Sequence, residues 1–84
     1  MVFRDLRIVL ACFLLTSCFG DFKTGEQLYN SGAYDEAVEE FSKVLFASTT
    51  DLKTLHLRAR SYEELGKYKE AMADYKKIIT LDPK

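Results

Sequence analysis

Gly32-Ala33-Tyr34-Asp35-Glu36-Ala37-Val38-Glu39-Glu40-Phe41-Ser42-Lys43-Val44-Leu45 and Gly66-Lys67-Tyr68-Lys69-Glu70-Ala71-Met72-Ala73-Asp74-Tyr75-Lys76-Lys77-Ile78-Ile79 are two versions of one pattern, 34 residues apart throughout. Gly, Tyr, Glu, Ala, an aromatic and a Lys return in register with no gap, a coincidence that two unrelated amphipathic helices would rarely produce. Ala71, Tyr75, Ile78 and Ile79 share one helical face, and upstream Leu55, Ala59, Tyr62 and Leu65 do the same. Small residues at Gly25, Ala37, Ala59 and Ala71 would let paired antiparallel helices approach closely, and Gly32 and Gly66 would stop the first helix of each pair. Asp51 is placed to cap a helix starting at Leu52, and Asp82-Pro83 to end the last one. The spacing predicts helices over 22–31, 35–47, 52–65 and 69–81, an all-α fold of two helix-turn-helix units.

Outward from the repeat, the N-terminus changes character. Arg4 and Arg7 precede an uncharged run from Ile8 to Gly20 whose apolar heart is Ile8–Leu15. A basic segment followed by about 8–12 apolar residues has the form of an export signal, whereas a spanning helix needs roughly 20. The run is apolar all round, unlike a surface helix with one polar face. Its end, Leu15-Thr16-Ser17-Cys18, resembles the bacterial lipobox. That resemblance implies a signal peptide over 1–17, transfer of a diacylglyceryl group to the Cys18 sulfur, cleavage between Ser17 and Cys18, and acylation of the new amine. Cys12, preceded by Val9-Leu10-Ala11, fits the pattern less well. Removal of residues 1–17 would leave Cys18 as the sole cysteine, which excludes an internal disulfide and gives the unpaired thiol a use. Two or three acyl chains would hold the protein stably on a membrane, where one binds marginally.

The 34-residue repeat itself is similar to the tetratricopeptide repeat. Residues 52–84 carry Leu55, Ala59, Tyr62, Gly66, Tyr68, Ala71, Tyr75 and Pro83 at that family's signature positions, with Arg58 alone departing from a usual Leu. Residues 18–51 keep Gly25, Leu28, Gly32, Tyr34, Ala37 and Phe41, but have Asp21 and Thr24 where bulky apolar residues are usual and Thr49 where Pro would be. This copy therefore reads as a degenerate terminal repeat. The resemblance implies an α-solenoid fragment whose first helices line a concave groove for a peptide or partner helix. Carried onto this chain, the groove residues would be Phe22, Glu26, Tyr29, Lys53, His56, Leu57, Arg60 and Glu64, with Lys23, Asn30 and Glu63 beside them. Lys53, His56 and Arg60 share one helical face and could attract an acidic group of a partner. The clamp that some family members use for a C-terminal carboxylate is missing, since Phe22, Glu26 and Leu57 occupy its positions.

Composition narrows the functional classes. At 84 residues, with 12 Lys plus Arg against 13 Asp plus Glu and a net charge of −1, the chain is one small domain with no broad claim on nucleic acid. His56 is the single histidine, no Gly-rich phosphate loop follows a strand pattern, and no His or Cys spacing suits a metal, so neither catalysis nor a cofactor is expected. Residues 18–51 hold two Lys against seven acids, whereas residues 52–84 hold eight basic against five acidic residues. Opposite signs on adjacent repeats would favour their stacking. Two repeats make a thin solenoid, so Met72, Tyr75 and Ile79 are expected to be partly exposed, open to a second copy, a partner or further repeats.

These observations point to a non-enzymatic lipoprotein on the non-cytoplasmic side of a cell membrane or outer membrane. Phe19 after the cysteine would permit outer-membrane sorting where that rule operates. It would act as a protein-interaction or assembly scaffold of the cell envelope. The alternatives are an accessory subunit regulating a cell-wall enzyme, or a repeat protein held by an uncleaved signal.

Overall fold

The computed structural model describes residues 20–83; the expected signal peptide and Cys18 lie outside them. Four helices follow one another: α1 (Phe22–Asn30), α2 (Tyr34–Ala47), α3 (Leu52–Glu64) and α4 (Tyr68–Leu81). Each lies within one residue of the sequence expectation at either end. The fold is all-α, and no strand occurs among the described residues. Connections of three or four residues force consecutive helices to run antiparallel. α1 pairs with α2 and α3 with α4, while α2 against α3 and α1 against α3 join the two hairpins.

Glycine ends the first helix of each hairpin by the same device. Gly32 and Gly66 sit in the left-handed region, at φ +87° and +78°. The turn lets the Ala33 N–H donate to the Leu28 carbonyl at 2.9 Å and the Lys67 N–H to the Tyr62 carbonyl at 2.8 Å. Bonds from the Gly32 N–H to the Tyr29 carbonyl at 3.1 Å and from the Gly66 N–H to the Glu63 carbonyl at 3.0 Å complete a Schellman motif in both places. The opposite ends differ. Asp51 caps α3 by accepting from the Thr54 N–H at 3.4 Å. In the first hairpin Asp21 caps α1, accepting from the Lys23 N–H at 3.3 Å and from the Thr24 hydroxyl at 3.0 Å. The two residues that break the apolar pattern of the first repeat are thus the ones that start its helix. α1 has 9 residues where α3 has 13. Just before the cap, Gly20 (φ +66°) lies so close to α2 that a Cβ there would stand 2.6 Å from Lys43 Cβ and 2.7 Å from the Val44 nitrogen.

The core is Ala37, Phe41, Leu45, Leu55, Ala59 and Ala71. Phe41 is fully buried, which stabilises by about 1.5–3 kcal/mol over leaving it in water. Gly25 makes room for it: a Cβ there would fall 2.5 Å from Phe41 Cε1. The sequence repeat returns in the packing, since the Phe22 and Phe41 rings lie 5.8 Å apart and their counterparts 34 residues on, His56 and Tyr75, lie 6.2 Å apart.

Arg58, the residue that departs from the repeat pattern, is held by three helices. Its Nε and Nη2 donate to the two carboxylate oxygens of Asp74 on α4 at 2.8 and 2.7 Å, and Nη1 donates to Ser42 Oγ on α2 at 3.0 Å. Asp74 is buried, and its hydrogen bonds raise the Arg58 pKa further above its ordinary value. The planar guanidinium meets the carboxylate as a bidentate fork, which an ammonium could not do.

Candidate partner-binding groove

The residues expected to face a partner lie on α1 and α3, which are neighbours, but they do not form one uniform strip. At one end Lys53 and Phe22 meet: the Lys53 Nζ stands 4.6 Å above the Phe22 ring centroid. Phe22 is half-buried because its other side leans on Phe41, so this expected groove residue serves the core as well. Further along, the exposed His56 ring packs edge-on against Tyr75 of α4. The Tyr75 hydroxyl donates to Glu63 Oε1 at 2.9 Å. Burial, then the bond to Glu63, holds the Tyr75 pKa above its ordinary value, and the charge of Arg60 works against that shift. Tyr29 is half-buried beside Tyr34, their rings 5.5 Å apart in an edge contact.

Lys53, His56 and Arg60 are all exposed on one face of α3, as their spacing requires. They have different immediate partners, however: Lys53 turns to Phe22, and His56 turns to Tyr75. Arg60 remains exposed. Glu64 is also exposed, whereas Glu26 and Leu57 are half-buried, and none of the three makes a side-chain hydrogen bond among the described residues. Cys18 lies outside these residues. Met72, Tyr75 and Ile79 are all at least partly exposed, as expected, but they do not share one surface. Met72 and Ile79 are exposed on α4, 69% and 64%, while Tyr75 is half-buried and faces α3. Its equivalence to the buried Phe41, 34 residues earlier, was the available signal.

The surface offers an aromatic rim of Phe22, Tyr29 and Tyr75 with cations at Lys53 and Arg60 and carboxylates at Glu26, Glu63 and Glu64. Such a surface can stack on apolar side chains and pair with charges of either sign. No three His, Cys, Asp or Glu side chains gather to hold a metal ion among the described residues.

The tetratricopeptide repeat family model matches residues 52–84, the hairpin of α3 and α4 with the residues that follow it. The chain is a tetratricopeptide-repeat protein. It is also similar to Outer envelope protein 61 of Arabidopsis thaliana, at 32% identity over 77 residues. That match covers 90% of this chain but spans 12% of the plant protein's length. Tetratricopeptide repeats typically bind protein partners, so the class of activity the fold supports is a protein-interaction scaffold.

Proposed function

We propose that this protein is a lipoprotein of the cell envelope, in which acylated Cys18 holds two tetratricopeptide hairpins at the membrane and the α1/α3 face takes a segment of a protein partner. The observation that carries the anchor is the run Leu15-Thr16-Ser17-Cys18 at the end of an apolar stretch preceded by Arg4 and Arg7. The position of Gly20 supports it. Gly20 packs against α2 and only Phe19 separates it from Cys18 in the sequence, so an anchor at Cys18 would leave little linker. The groove would then work close to the lipid surface. Its mixed charge and aromatic rim suit an extended segment or helix with at least one acidic side chain, which Lys53 and Arg60 would meet. The role is non-catalytic assembly; recovery of a cell-wall enzyme on the groove would make the protein that enzyme's accessory subunit.

Mass spectrometry of the membrane fraction tests the anchor. The expected species starts at Cys18 and carries acyl mass, and a Cys18→Ala variant accumulates as the unprocessed precursor. An intact Met1 with unmodified Cys18 overturns the lipoprotein reading. For the groove, a photo-crosslinker at His56 should capture a protein partner in the envelope, and Lys53→Glu with Arg60→Glu should abolish the adduct. An adduct unchanged by both substitutions removes the groove from the proposal.

A further inference from the structure

We infer that the end of the helical layer at which the chain enters, at Gly20, is itself a membrane-contact surface that sits on the interface of a bilayer containing anionic lipid. Antiparallel connection places the start of α1, the end of α2, the start of α3 and the end of α4 together at this end. Four large apolar side chains are exposed there: Phe46 at 88%, Ile79, Leu81 and Leu52. In the opposite half, with the turns at Gly32 and Gly66, the large exposed apolar residues among those described are Tyr68 and Met72, both on α4. Scattered apolar side chains need no explanation, but four gathered at one end do.

Charge divides along the same axis. Lys23, Lys43, Lys53, Lys76 and Lys77 lie at the Gly20 end, against Asp21, Asp51 and Asp82. Two of those three acids are occupied as helix caps. The far part of the first hairpin holds Asp35, Glu36 and Glu39 with no cation among them, Glu26 and Glu40 lie at mid-height, Glu40 3.7 Å from Lys43, and the far part of the second hairpin sets Lys67 and Lys69 against Glu63, Glu64 and Glu70. Among the described residues the Gly20 end is therefore the more basic and the more apolar, and the far end the more acidic. Lysines around exposed aromatic and aliphatic side chains are the composition of a surface that inserts at the headgroup level, where each Lys near anionic lipid strengthens binding about fivefold. The direction of chain entry fixes the occupant as a bilayer. The apolar run Ile8–Leu15 and Cys18 precede Gly20 directly, and Phe46 lies three residues past Lys43, about 4.5 Å farther along α2 than the contact with Gly20. The inference rests on the proposed anchoring only in that something before Gly20 is held in the membrane.

The chain contains no Trp, so a single introduced indole reports one place. The full chain would be prepared as Phe46→Trp and, separately, as Tyr68→Trp, and reconstituted in phosphatidylethanolamine–phosphatidylglycerol vesicles with and without brominated acyl chains. Trp emission at position 46 should shift to the blue and lose intensity in brominated vesicles, while emission at position 68 stays water-like and unquenched. Water-like, unquenched emission at 46, in a sample whose mass shows acylated Cys18, overturns the contact surface and leaves the lipoprotein reading standing. Quenching at 46 with Cys18 unmodified supports the surface and removes lipidation. Equal quenching at both positions overturns the assignment of this end.

Discussion

Replacing Arg58 with Leu restores the residue usual at this repeat position and should nevertheless destabilise the protein. Asp74 is 5% exposed, and both its carboxylate oxygens receive Arg58 hydrogen bonds, at 2.8 and 2.7 Å. The substitution strands that carboxylate and also removes the donor to Ser42. Breaking a buried pair from one side costs about 3–5 kcal/mol. The Arg58 side chain is 21% exposed, so water can follow into the space it leaves, and a cost at or just below the foot of that range, about 2–3 kcal/mol, is expected. A unit of this size has only about 3–10 kcal/mol in all, so the loss should be large in urea unfolding followed by far-UV circular dichroism. The double variant Arg58→Leu/Asp74→Ala should recover most of it, because replacing both members of a buried pair by apolar groups is near neutral. Two results would refute the reasoning: an Arg58→Leu protein within about 0.5 kcal/mol of the parent, or a double variant as unstable as Arg58→Leu alone.

Gly25→Ala places a methyl 2.5 Å from the fully buried Phe41 ring, which has nowhere to move. Overpacking of about 1–3 kcal/mol should outweigh the helix-propensity gain of about 1 kcal/mol, so the melting temperature falls; an unchanged or higher value contradicts the close approach of α1 and α2. Thr54 Oγ1 is fully buried with no hydrogen-bond partner among the described residues. Thr54→Val keeps the shape and should raise stability by about 1 kcal/mol in the same urea titration, and a loss would point to a partner for the hydroxyl. The raised pKa of Tyr75 means that the folded state holds this proton more tightly than the unfolded chain. Its contribution is complete below the unfolded value near 10 and is lost as pH rises through the higher folded value. The melting temperature should therefore fall above about pH 10, and less steeply in Tyr75→Phe; identical slopes would exclude Tyr75 as a contributor.

The fold was legible because its signals are local and repeated. The 34-residue offset, the glycines at 32 and 66, and the cap at Asp51 each specify a conformation through nearby backbone bonds, and all three recur in the structure. The role of Arg58 was not legible. Its partners, Ser42 and Asp74, are each 16 residues away on different helices, and Asp74 has the look of a surface residue until α4 is packed. Asp21 and Thr24 were visible only as departures from an apolar pattern, and their use as a cap depends on α1 starting where it does. For the groove, helical spacing placed Lys53, His56 and Arg60 on one face. It could not show that Phe22 and Tyr75 would each engage one of the three.

Charge shows most clearly what folding adds to a sequence count. Counted along the chain, the first repeat is acidic and the second basic, which suggested attraction between them. The ion pairs among the described residues are Glu40 with Lys43, inside α2, and Arg58 with Asp74, inside the second hairpin. Neither crosses between hairpins; the polar contact that does is the bond from Arg58 to Ser42, beside buried Leu45, Leu55 and Ala59. The hairpins are therefore joined by apolar packing, one guanidinium bond and the Lys53 ammonium over the Phe22 ring, and most of the remaining charges are left for the surface. Antiparallel helices then re-sort them by height rather than by repeat. Five lysines drawn from both hairpins lie toward the Gly20 end, while Asp35, Glu36 and Glu39 of the first hairpin lie toward the other. A count per repeat averages over both heights and loses this axis, which is the one along which a protein tethered just before Gly20 would meet a membrane.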